Sequence, residues 1–155
     1  MLKLKRFNEA VWFNWPEASG VRLKIRPLNG RKMLELRNES KQGKVAVSMP
    51  SLDPEEGNIR IVDDYNDFIY EWKMFQYCLE DYEGITLDGE DDHPKELEGE
   101  AKSLYEQKKR EEIREAIFNN VLLRRFILKK SLEVMASENK RFEEELKNSL
   151  GSLDG

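Results

Sequence analysis

A chain of 155 residues that is 39% apolar and 37% charged has the length of one domain and a lean supply of core residues. Its one cysteine, Cys78, excludes an internal disulfide, and with a single histidine, His93, it leaves too few ligands for a zinc centre. No apolar run approaches the ~20 residues of a membrane span, and the basic start Met1–Arg6 leads into no apolar stretch, so the sequence predicts a cytoplasmic protein.

The net charge of -5 conceals a segregation: residues 1–50 carry +7, 51–107 carry -14 and 108–155 carry +2. Blocks of opposite sign in one chain can neutralise each other, and mutual attraction within the fold is the favoured reading.

The first predicted element is a β-hairpin. Residues 10–15 are β-branched and aromatic and stop at Pro16. Residues 21–26 alternate, with Val21, Leu23 and Ile25 on one face and Arg22, Lys24 and Arg26 on the other. Pro16–Gly20 supplies the turn, and Trp12 or Trp15 is expected on the buried side. A short helix is expected over 29–41, ending at Gln42-Gly43. Val45, Val47, Ile59 and Ile61 suggest two short strands, or a strand and a loop.

Asp63 and Asp64 are candidate N-caps for an aromatic helix over 64–81. Its stripe is Phe68, Trp72, Phe75, Leu79 and Tyr82, spaced by threes and fours, and it is expected to cover the hairpin. Residues 84–94 read as an acidic loop in which Ile85 and Leu87 could form a short return strand. Residues 95–106 are helical in composition, and 108–150 contain neither glycine nor proline. These last form one long helix or two, divided near Asn119-Asn120 and ended by Gly151. The organisation expected is an α+β domain over 1–92 and a helical, partner-binding region over 93–155.

No residue pattern marks an enzyme. Cys78 lies mid-helix without a basic neighbour, and His93 sits in an acidic loop without a nucleophile. The acidic stretch fits no calcium loop, because a frame from Asp81 puts Thr86, and one from Asp88 puts His93, where glycine is needed. Phosphate-binding glycine motifs are absent, so neither metal nor cofactor is expected. Two binding surfaces remain. Arg22, Lys24, Arg26, Arg31 and Lys32, with Trp12, Phe13 and Trp15 nearby, form a candidate nucleic-acid face. The acidic middle segment weighs against it. Leu128, Leu132, Met135, Phe142 and Leu146 form a helical stripe suited to packing on a partner helix. Covering the chain's own core or a homodimer seam is the competing role for the stripe as far as Met135.

One pattern carries a resemblance. A strand runs into Ile25-Arg-Pro-Leu28, a short polar helix follows, and an aromatic helix ends in Leu79-Glu-Asp-Tyr-Glu-Gly84-Ile-Thr-Leu-Asp-Gly89 before a charged helical C-terminus. This order resembles the tail assembly chaperones of long-tailed phages and prophages. The likeness spans roughly 20–150 in element order but rests on about 15 specific residues within short motifs. Tyr82 stands where tryptophan is common in that family, and His93 where cysteine or a polar residue is frequent. The resemblance implies a non-enzymatic assembly factor in the host cytoplasm that keeps a long, helical tape measure protein soluble and recruits tail tube subunits. A small nucleic-acid-binding regulator is the alternative.

Overall fold

A computed structural model describes residues 9–48, 59–88 and 97–151, and the fold within them is α+β. Two small antiparallel sheets accompany four helices among the described residues. The chain divides into two compact units, one built from residues up to Leu28 and from Phe75 onward, the other from Asn29–Met74. The boundary expected at 92/93, like His93 and Gly89, lies outside the described residues.

The first unit opens with the expected hairpin, β1 (Val11–Asn14) and β2 (Arg22–Ile25). The amide of Trp15 donates to the carbonyl of Val21 at 2.9 Å and closes it. Residues directly opposite in an antiparallel pair share a face. Val11 and Phe13 face Ile25 and Leu23, which are fully buried. Trp12 sits opposite Lys24, on the charged face, with the Arg22 guanidinium 4.9 Å from its ring. The strand's parity turns Trp12 outward and puts Phe13 on the inward face; Trp15, just past the strand with the parity of Phe13, is half-buried, as Trp12 and Phe13 are.

The third strand was not evident from the sequence. Helix α2 (Asp67–Cys78) passes without a loop into β5 (Leu79–Glu83), which pairs antiparallel with β2. Leu79 and Tyr82, expected on the helical stripe, are strand residues. Ile85 and Leu87 lie in irregular chain after the strand. Helical periodicity persists through Leu79 and Tyr82 by coincidence, and long-range pairing overrides it. The amide of Arg26 donates to the carbonyl of Cys78 at 2.7 Å, which fixes the point where the helix stops.

Two helices complete this unit, α3 (Glu100–Asn119) and α4 (Val121–Gly151). They are divided at Asn120, within the expected pair. Asn120 serves both ends: its amide donates to the carbonyls of Ala116 and Ile117, and its side-chain oxygen accepts from the amides of Leu122 and Leu123, both at 3.1 Å. An uncapped junction would leave those groups without partners. Ile113, Ile117 and Phe118 of α3 and Leu123 and Ile127 of α4 are buried. Phe75, fully buried, meets Phe118 edge-on with ring centres 5.3 Å apart. The helix seen packing on β2 is α4: the Ser131 hydroxyl donates to the Arg26 carbonyl at 2.6 Å.

The second unit holds α1 (Gly30–Glu39), the ribbon of β3 (Lys41–Ser48) and β4 (Ile59–Tyr65), and α2 as far as Met74. Asn29 caps α1 by accepting from the amide of Lys32 at 2.8 Å. The helix ends at Ser40, earlier than the expected Gln42-Gly43, because the Ser40 amide and hydroxyl turn back to the carbonyls of Arg37 and Leu36. Gly43 instead occupies the register irregularity at the start of β3. The N-cap of α2 is Asn66, whose side chain accepts from the amide of Ile69. Asp63 and Asp64, expected there, belong to β4, where they meet Lys41 and Gln42.

Candidate protein-binding surface

Helix α4 contains 31 residues and is about 46 Å long at 1.5 Å per residue. Its buried row is Leu123, Ile127 and Ser131, spaced by fours, and none of its described residues beyond Ser131 is buried. At about 100° per residue, the expected stripe runs along the flank of that row. Leu128, Met135 and Phe142 are half-buried, whereas Leu132 is 47% exposed, Leu146 39% and Leu150 58%. All five stripe residues thus lie on one side of one helix. The row that serves the chain's own core is a different one.

The sequence pattern missed that row because its third member is a serine. Ser131 is fully buried and has both hydrogen-bonding capacities used: it donates to the Arg26 carbonyl and accepts from the Cys78 thiol at 3.3 Å. Burial pushes the Cys78 thiol up from its ordinary value, outweighing the Ser131 hydrogen bond and the Arg26 charge. A buried thiol held neutral is a poor nucleophile. Among the described residues no group of three or more His, Cys, Asp or Glu side chains could hold a metal ion. No described helix is long and apolar enough to cross a membrane.

The five basic candidates are all engaged with carboxylates. Arg22 meets Glu83 at 3.2 Å; Lys24 and Arg26 share Glu80 at 2.9 and 3.2 Å. Arg31 and Lys32 both reach Glu35 on the next turn of α1. Strand pairing creates the first three contacts. The basic face of β2 lies beside the acidic β5, and the irregularity between Lys24 and Ile25 leaves Glu80 projecting between two cations. On α3, Arg110 pairs with Asp81 at 2.8 Å. Arg114 donates to the carbonyls of Leu79 and Glu80, both at 2.8 Å, satisfying acceptors of β5. Opposite charges from the +7 and -14 segments thus neutralise each other within the first unit.

Hydrogen bonds from Lys24 and then Arg26 hold the Glu80 carboxyl below its ordinary value of 4.5. A carboxyl lowered in the folded state stabilises the fold fully above the unfolded value, and that contribution is lost as pH falls through the folded value. Urea unfolding midpoints should therefore drop as pH falls below the ordinary carboxyl value, and Glu80→Gln should flatten that part of the profile. An unchanged acid slope in Glu80→Gln would show that the pair of cations does not act through this carboxylate.

Comparison with protein-family models, with curated proteins and with solved structures finds no match to this chain.

Proposed function

We propose that the chain is a non-enzymatic assembly factor that binds a long helical protein through α4 from Leu128 to Leu146, in the manner of a phage tail assembly chaperone holding a tape measure protein. The observation that carries this reading is the division of α4. Its first three turns supply the core with Leu123, Ile127 and Ser131, while Leu132, Leu146 and Leu150 remain exposed on the turns that follow. An isolated helical extension in water is only marginally stable, so apolar residues at regular spacing along it favour a partner. The family-level part of the proposal rests on the motif resemblance over Ile25–Leu28 and Leu79–Gly84.

The alternative, nucleic-acid binding by the hairpin, gains no such support. Phosphate would have to displace Glu80 and Glu83 from Arg22, Lys24 and Arg26.

Co-expression with the longest structural protein encoded beside this gene tests the reading. A soluble complex that survives affinity capture and light scattering is expected. A partner that stays insoluble while this chain elutes alone would contradict it.

A further inference from the structure

We infer that α4 from Leu128 onward pairs in a heterotypic coiled coil with a helix that carries Lys or Arg along both edges of its apolar seam. This deepens the partner-binding reading above and rests on it. The stripe is a heptad: Leu132 and Leu146 occupy the a positions, and Leu128, Met135 and Phe142 the d positions. The one vacancy in that spacing falls on Asn139, an exposed residue at the central a position. A single asparagine at a is a device for fixing register and strand number in a coiled coil, at some cost in stability.

The charges flanking this seam beyond Leu132 identify the occupant. Glu138 and Glu145 stand at g and Glu143 at e, while Lys140, Arg141 and Lys147 are turned to the outer b and c positions. The one cation at an e position, Lys129 beside Leu128, is held by Glu133 at 3.8 Å. Arg141 holds Glu145 at 3.1 Å along the helix. Among the described residues no cation lies within ion-pair distance of Glu138 or Glu143. A second copy is a poor occupant. In a parallel pair Glu138 would face Glu143 of the other helix, and in an antiparallel pair like positions meet, again acid to acid. A partner with basic e and g residues relieves this repulsion and supplies the missing ion pairs.

The test uses the full chain and two synthetic peptides of roughly four heptads with the same Leu/Ile seam and one Asn at a. One has Lys at every e and g position, the other Glu. Fluorescence anisotropy at low salt should give about tenfold tighter binding of the Lys peptide, a preference eroded at high salt. Glu138→Lys with Glu143→Lys should reverse the preference while thermal unfolding stays unchanged. Equal affinity for the two peptides, preference for the Glu peptide, or a self-associated dimer in sedimentation at the same concentrations would overturn the inference. If both peptides bind equally and Phe142→Gln with Leu146→Gln abolishes both, helix docking stands and only the charge inference fails. If neither peptide binds, the charge inference fails and the co-expression experiment alone decides the docking reading.

Discussion

Gly84→Ala should destabilise the chain by about 2–5 kcal/mol, among the largest effects of any single methyl group added to it. Gly84 follows β5 directly, with φ at 76°, a conformation that costs an L side chain about 1–2 kcal/mol. Sterics add to this. A Cβ at residue 84 would overlap the Gly20 carbonyl oxygen and lie 2.9 Å from its carbon. Both obstacles are backbone, so neither can swing aside as a side-chain tip would. For a chain of this size the melting temperature should fall by about 5–15 °C, measured by circular dichroism. Gly20→Ala is the control. Gly20 also has a positive φ, 82°, but open space surrounds its would-be Cβ, so only the conformational cost of about 1 kcal/mol applies. Equal losses in the two variants would mean that the contact between the two turns contributes nothing.

Ile127→Ala should cost about 2–5 kcal/mol, the range for truncating a fully buried aliphatic side chain. Ile127 has no exposed surface and lies between Leu123 and Ser131 on the row of α4 that serves the core. The cavity would open where close packing leaves little room to relax. Leu146→Ala, on the same helix and 39% exposed, should change the unfolding free energy measured in urea by less than about 0.5 kcal/mol. This contrast separates the two halves of α4. Comparable losses at both positions would mean that the distal turns belong to the core.

The parts of the fold legible in the sequence were those written in local pattern. Strict alternation over Val21–Arg26 marked β2, and the asparagine pair at 119–120 marked the break between α3 and α4. Strand β5 was not legible. Leu-Glu-Asp-Tyr-Glu has little β-propensity, and its identity comes from pairing with a basic strand more than fifty residues away. Capping misled where two chemistries compete for the same residue types. Asp63 and Asp64 are good caps, yet the cross-strand partners Lys41 and Gln42 hold them, and Asn66 caps the helix instead. On α4 the apolar residues Leu122, Leu123, Ile127 and Leu128 populate neighbouring faces. A serine completes the buried row because the Arg26 carbonyl needs a donor there. The stripe that the sequence showed most plainly is consequently a flank that the fold leaves half-buried at Leu128, Met135 and Phe142 and exposed at Leu132 and Leu146.

If this flank binds a helical partner and is not core, its apolar side chains are needed for capture and not for folding. The most direct test combines Phe142→Gln and Leu146→Gln in the full chain and measures, on the same sample, capture of the co-expressed partner and thermal unfolding. Glutamine is polar, uncharged and a good helix former, so it removes apolar contact without breaking the helix. Capture should be lost while the melting temperature stays within about 2 °C of the parent. Undiminished capture, or a variant that unfolds, would contradict partner binding by this flank.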